Sequence, residues 1–359
     1  MGRGRWLVWL GVFLMILPWM ARSEVAAAEK VVTVRLTGHM PVGQHCTVAA
    51  ERFIKEAEQR SKGSLKFTYY PAGQLAMDKK AFDMCQKGGI EMAQFFSNRA
   101  VGVVPETDLV IPYFDDPDWY ARRNYDLEGG GGLFYKFLRP KFAKAGLRIL
   151  PGIMYAPEHS TITKKPIHKM DDYKGLKLRS SGRSLAVALE SWGAKSVVMS
   201  SADVYMAMQR GTIDGANSGL TTFRSRKWFE VQNHVQMLWE IVSTLDMIAN
   251  LKWWNRLSPD QQTAINEALR SATIWSWDYA IAGVEKDVKF LKEKGLTVID
   301  FKKTYPAEWE KMRQANLKAQ EKLVGPVVGA ETWKEHIRML DATKDGKLTW
   351  REVFQKIKW

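Results

Sequence analysis

Asp341, Thr343, Asp345, Lys347 and Glu352 fall at positions one, three, five, seven and twelve of one short stretch, with Gly346 at position six. That is the order of an EF-hand loop, where oxygen donors surround Ca2+ and the glycine permits a sharp turn. Thr343 stands where Asp or Asn is usual, and helical patterns over Trp333–Leu340 and Arg351–Ile357 flank the stretch. A structural Ca2+ is one expectation here; a charged helix–turn–helix end is the other. His39, His45 and Cys46 bring together the residue types of a thiol–imidazole nucleophile. The plainer alternative is that His39 ends a strand and Cys46 begins a helix. Gly129–Gly132 could cradle a phosphate, but no Lys-Ser/Thr follows, so it reads as a flexible loop. Neither G-x-S-x-G nor H-E-x-x-H occurs. No catalytic constellation is therefore expected to assemble, and no cofactor is required. An exported hydrolase or thiol enzyme using His39 and Cys46 is the alternative.

The 359 residues are 46% hydrophobic and 26% charged, ordinary values for a folded chain and too apolar for a disordered one. Two cysteines exclude a disulfide scaffold and any site needing four thiolates of this chain. The net charge of +14 is dispersed in pairs such as Lys79-Lys80, Arg122-Arg123 and Lys164-Lys165. No basic run or nucleic-acid-binding pattern accompanies it, so nucleic acid is not an expected partner. Two arginines in Met1–Arg5, the apolar stretch Trp6–Met20 and Ala26-Ala27-Ala28 describe a secretory signal peptide. The apolar stretch is short for a membrane span, which needs about 20 residues. The expectation is a protein exported to the periplasm and not membrane-embedded after cleavage. Export permits a Cys46–Cys85 disulfide; buried, unpaired thiols are the favoured reading.

Periodicity supplies the elements that must position any site. Strands are expected at Val31–Thr37, Ser64–Tyr70 and Ile90–Phe96, with helices at Thr47–Arg60 and Asp78–Lys87 between them. This alternation predicts parallel strands with helical crossovers, and ligands at the strands' carboxyl ends. A second run follows: strands at Leu147–Met154, Leu176–Arg179, Ser196–Met199 and around Ile213–Asn217, helices at Leu185–Glu190 and Asp203–Gln209. From Pro259 to Leu323 the pattern is helical, with Ser258-Pro259 as its start signal. The fold class expected is α/β, two lobes around an interlobe cleft with a helical C-terminal third. The divisions are residues 1–28 as signal peptide, 29–150 and 151–245 as lobes, 246–325 as a helical return, and 326–359 as the helix–loop–helix.

A succession of motifs now points further. Tyr205–Gly215 (YMAMQRGTIDG) resembles the Y-x-A-L-Q-x-G-x-I-D-G signature of the solute-binding proteins of tripartite ATP-independent periplasmic (TRAP) transporters, the DctP type. Pro71–Leu75 (PAGQL), Lys164–Ile167 (KKPI) before Asp172–Gly175 (DYKG), and Leu257–Gln262 (LSPDQQ) resemble further motifs of that family, in the same order. The resemblance implies a two-lobed, type II-like binding protein that closes on a small organic carboxylate and delivers it to TRAP membrane permease subunits; a non-TRAP periplasmic binding protein of the same two-lobed type is the alternative. It implies that Arg179, ending GLKLR, pairs with the carboxylate through a planar fork. Asn217, after the I-D-G turn, is placed toward the ligand; Gln74, Asn98 and His39 come from strand ends of the facing lobe. Tyr155 and Phe223 are the aromatic candidates. Many members carry another arginine shortly before K-K-P-I, whereas Tyr155–Ser160 (YAPEHS) has none. One carboxylate with a less charged or aromatic remainder suits such a site.

Overall fold

The structure, a computed structural model, describes residues 31–110, 114 and 116–357. The expected signal peptide lies outside them. The chain begins with β1 (Val32–Thr37), α1 (His45–Arg60), β2 (Leu65–Tyr70), α2 (Asp78–Gln86) and β3 (Met92–Phe95). After β3 come two short 3-10 turns, α3 (Pro117–Tyr125), α4 (Arg139–Lys144) and β4 (Leu147–Ala156). Next are β5 (Ser160–Thr163), β6 (Lys177–Ser180), α5 (Arg183–Ser191), β7 (Lys195–Val198), α6 (Val204–Gln209), β8 (Gly215–Ser218), α7 (Leu220–Ser225) and β9 (His234–Met237). The chain then passes through β10 (Ser243–Asn250), α8 (Leu251–Trp254), α9 (Pro259–Glu293), β11 (Thr297–Asp300) and α10 (Phe301–Thr304). It finishes with α11 (Pro306–Val328), α12 (Ala330–Lys344) and α13 (Trp350–Lys356).

Two sheets result, ordered β2-β1-β3-β10-β4 and β11-β9-β5-β8-β6-β7. Both are mixed, although the three strands of the β-α-β-α-β run pair in parallel as the alternation predicted. β1 pairs in parallel with β2 and β3, but β10 runs antiparallel to β3 and β4. In the second sheet β5 runs antiparallel to β8 and β9. The reason is connectivity: these strands are entered from the other sheet rather than through a helical crossover. The chain leaves the first sheet after β4, enters the second at β5, leaves it after β9 and re-enters the first at β10. The divisions expected at 150 and 245 fall inside β4 and β10, so the ends of both strands belong with the first sheet.

Each sheet is covered on both faces. Side chains alternate along a strand, so Ile149 and Ile248 face a core with Phe82, Phe95 and Phe142, while Leu150 and Met247 face Phe53 and Leu269. In the second sheet Leu178 packs with Tyr173, Trp192 and Met312, whereas Ile162, Ala216 and Val235 face Phe223 and Trp228. Helix α9 ties the two together. Ser258 accepts from Gln261 N, the Gln261 side chain accepts from Ser258 N, and Pro259 is preset for the first turn. At 35 residues the helix runs about 50 Å. Ala264, Ile265, Ala268 and Leu269 join the first lobe's core, and Leu291 joins the second's.

The glycine of the I-D-G turn has a steric reason. Gly215 opens β8 opposite Thr163, and a Cβ there would overlap the main-chain oxygen of Ile162. Gly215→Ala is expected to destabilise the fold by about 1–3 kcal/mol, read as a lower urea midpoint with the m-value retained. Asp214, beside it, accepts from Lys177 N at 2.7 Å and closes the turn onto β6.

Candidate functional site

The carboxyl ends of the strands from both sheets converge on one cavity. The first lobe supplies His39 and Met40 after β1, Phe96, Asn98 and Arg99 after β3, and Tyr155 near the end of β4. The second supplies His159 before β5, Arg179 and Ser181 at β6, Ser200 and Ser201 after β7, and Ser218 on β8. The cavity holds about 40 Å³, and a single water needs about 10–15 Å³ by that measure. The lobes are thus closed on each other, and a ligand of more than a few atoms enters only when they part. Asn98 marks the closure: its Nδ2 lies 2.7 Å from where a Cβ on Gly182 of the opposite lobe would be.

Arg179 is 3% exposed. Its Nε donates to Met199 O at 3.0 Å and its Nη1 to Asn217 O at 2.9 Å. The guanidinium carbon lies 5.8 Å from the Trp228 ring centre. Two carbonyls and an indole therefore fix the plane of a buried cation at the cavity wall, and removal from water strengthens its attraction for an anion. Tyr155 donates or accepts at Ser218 Oγ, 3.0 Å away, and bonds Thr222 closely. Its ring meets Phe96 edge-on at 5.3 Å, and Phe96 meets His39 at 5.4 Å. These rings line the same cavity as the guanidinium.

Of the residues expected at the site, Arg179, Tyr155, Asn98 and His39 are brought together. Three are placed elsewhere. Asn217 is wholly buried behind the cavity wall. Its carbonyl oxygen takes Arg179, its Oδ1 lies 3.1 Å from His159 Nδ1, and its Nδ2 donates to Glu240. It positions the wall rather than lining the cavity. Phe223 is buried beneath it, stacked on Trp228 at 5.6 Å. Gln74 is exposed on the PAGQL turn. That turn instead props the loop carrying His39, since Ala72 N donates to Met40 O and Gly73 N to Gly38 O. Sequence reasoning missed Arg99, His159 and the serines. Arg99 directly follows Asn98 at a strand's carboxyl end, a signal that was available; His159 sits in the stretch read only for its lack of arginine.

Buried ionisable groups surround the site. Burial lowers His159 to about 4, and the Arg179 charge acts in the same direction. Burial raises Glu158 and Glu240 to about 8, against hydrogen bonds from Leu220 N and Ser160 to the first and from Asn217 to the second. Both lie in the segments that cross between the sheets.

Cys46 and Cys85 are free and buried, and burial pushes both thiols far up. A thiol nucleophile needs the opposite shift. Cys46 Sγ lies against Met154 O at 3.4 Å and His45 Nε2 at 3.5 Å, inside the first lobe. His39 stands at the cavity instead, so the geometry does not assemble the enzyme alternative.

The EF-hand pattern does not form one continuous loop. Asp341 and Thr343 lie within α12, and Asp345 caps its end. The Thr343 hydroxyl donates to Met339 O at 2.7 Å, which continues the helix. Lys347 is exposed, and Glu352 is bound to Thr349 N as the cap of α13. Arg122 donates to the carbonyls of Thr343, Lys344 and Leu348, so a guanidinium occupies three carbonyl oxygens of this segment. Among the described residues no group of three or more His, Cys, Asp or Glu could hold a metal. Millimolar Ca2+ is expected to leave the melting temperature within about 1 °C of that in chelator; a rise abolished by Asp341→Ala would contradict this.

Two α/β lobes, joined by strands and a long helix and closed over a buried arginine, define a two-lobed binding protein of the periplasmic type. Residues 38–323 match the family described as bacterial extracellular solute-binding protein, family 7, named DctP. The chain belongs to that family, whose members are receptors of TRAP transporters rather than enzymes. Among relatives, the sialic acid-binding periplasmic protein SiaP of Vibrio cholerae is 26% identical over 82% of this chain and 88% of its own. A TRAP periplasmic solute-binding protein from Ochrobactrum anthropi superposes with a TM-score of 0.78 at 20% identity, over 89% of this chain and 97% of that one. A Bordetella pertussis extracytoplasmic solute receptor binding pyroglutamic acid superposes with a TM-score of 0.75 at 18% identity, over 88% and 100%. The expected two-lobed α/β class holds. Among the described residues no helix is long and apolar enough to cross a membrane.

Proposed function

We propose that the protein is a periplasmic receptor that takes one small organic carboxylate between its lobes, with Arg179 as the anion's anchor, and passes it to a TRAP-type permease. The carrying observation is the fixed, buried guanidinium at the meeting point of both lobes. A fork with two of its donors already held by Met199 O and Asn217 O loses little further freedom on pairing with a carboxylate. Arg99 of the facing lobe lines the same cavity, so closure surrounds the anion with positive charge. His39, Phe96 and Tyr155 suit an uncharged or ring-bearing remainder, and the serines suit its polar substituents. The names of the relatives, which bind sialic acid and pyroglutamic acid, agree with an acid of this kind. Exchange of the basic start and apolar stretch before Ala28 for a cytoplasmic leader would keep the protein inside the cell if that segment is the export signal.

A thermal-shift screen over organic acids tests the reading. A binder at 100 times its dissociation constant stabilises by about 2.7 kcal/mol, a shift easily read. Stabilisation by neutral compounds or cations, and by no acid, would end it.

A further inference from the structure

His159 is 3% exposed and lines the cavity together with Tyr155 and Arg179. Its two ring nitrogens have different fates. Nδ1 lies 3.1 Å from Asn217 Oδ1. Nε2 is buried and has no partner among the described residues. The tautomer follows from the neighbours. Asn217 Nδ2 donates to Glu240 Oε1, and an amide nitrogen is a donor only. With Glu240 Oε1 as the acceptor, any carboxyl proton lying on Oε2, the amide turns Oδ1, an acceptor, to the ring. Nδ1 must then carry the proton, and in a neutral imidazole Nε2 is a bare lone pair.

The ring is neutral for two reasons. It is out of water, and the nearby Arg179 charge disfavours the imidazolium. A carboxylate seated on Arg179 therefore meets an acceptor at its flank. A second oxygen lone pair at that place, from a keto group or another carboxylate, would face the Nε2 lone pair. A hydroxyl or N–H would donate to it and satisfy the one ring atom left without a partner.

We propose that His159 is a specificity-determining residue of this site: held in the Nδ1–H tautomer by Asn217 and Glu240, it selects carboxylates carrying a hydroxyl or N–H donor beside the anion. This deepens the carboxylate reading above and rests on it. Asn217 and Glu240 are positioning residues in this scheme. They touch no ligand, and the chain Glu240–Asn217–His159 runs from the segment joining the two sheets to the cavity wall.

Two measurements on the full mature chain test it. The first needs no ligand. With ring-15N-labelled histidine, the His159 signals, assigned by their loss in His159→Phe, are expected to show a protonated Nδ1 and a bare Nε2 at neutral pH. A proton on Nε2 overturns the proposal. The second uses acids that share one carbon skeleton and differ at the second carbon: hydroxyl, amide N–H, keto or unsubstituted. In calorimetry the donor-bearing members are expected to bind about 10–100-fold more tightly than the keto and unsubstituted ones. His159→Phe, which keeps a ring in place, should bring that ratio to within about threefold. Tighter binding of the keto acid, or a ratio that survives in His159→Phe, overturns it. Failure of every acid to bind would instead remove the carboxylate reading, and the ring spectrum would still decide what Nε2 can accept.

Discussion

Arg179→Ala is expected to weaken binding of the best acid from the screen by about 2–5 kcal/mol, the usual loss when one partner of a buried, hydrogen-bonded charge pair is truncated. In calorimetry that is at least a thirtyfold change in affinity. The effect has two parts. The ligand's anion loses its counter-charge, and Met199 O and Asn217 O lose the donors that hold the cavity wall. Arg179→Lys separates them. An ammonium restores the charge but cannot reach two diverging carbonyls and a carboxylate in one plane, so it should recover less than half of the lost free energy. Far-UV circular dichroism checks that both variants fold. Affinity unchanged in Arg179→Ala would remove the anchor from the account.

Stability should fall as pH rises from about 6.5 to 8. Glu158, Glu240 and Asp246 are each raised to about 8, in every case first by burial. A carboxyl that stays protonated in the fold but ionises in the unfolded chain stabilises fully only below its unfolded pKa. That contribution is lost as pH climbs toward the folded value, at a limiting slope of about 1.4 kcal/mol per pH unit for each group. The buried histidines act oppositely. His45 and His159 are lowered to about 4 and His336 to about 3, so the unfolded chain binds more protons than the fold up to about pH 6.5. The two sets offset each other between about pH 4.5 and 6.5. Above that only the carboxyls titrate. A melting-temperature series should peak near pH 5–6 and decline by pH 8. Asp246→Asn, which mimics the protonated acid between Ser97 and Thr244, should make the decline shallower. A series that rises from pH 6.5 to 8 would mean that the carboxyls are ionised in the fold.

The sequence carried the first lobe's alternation clearly because Val32, Val34 and Leu36 alternate with polar residues and Phe53 and Ala57 keep helical spacing. It concealed β5 and β10. Ser160–Thr163 is a fully buried strand made mainly of hydroxyl residues, and β10 carries Asp246 in its buried run. Asp246 takes a hydrogen bond from Ser97, distant in sequence, which no local pattern reveals. The TVID strand inside the helical third was hidden for a related reason: it is an edge strand, bonded only to β9 and half-exposed. Arg179 was legible because a strand end and a motif coincided on it. Asn217 was legible as important but not in its role, since whether an amide faces a cavity or a histidine behind it depends on Glu240, in a different segment. The acids' spacing in the metal pattern says nothing of backbone conformation: Thr343 continues the helix, and Arg122, far away in sequence, bonds carbonyls there.

The two sealed thiols make this chain convenient as an optical instrument. Neither Cys46 nor Cys85 offers sulfur to a reagent, so the natural background for maleimide dyes is dark. A single cysteine introduced at exposed Val42 on one lobe and another at exposed Met206 on the other would accept a donor and an acceptor fluorophore without removing any native residue from the interior. Energy transfer between them would then report, one molecule at a time, how often the halves swing apart.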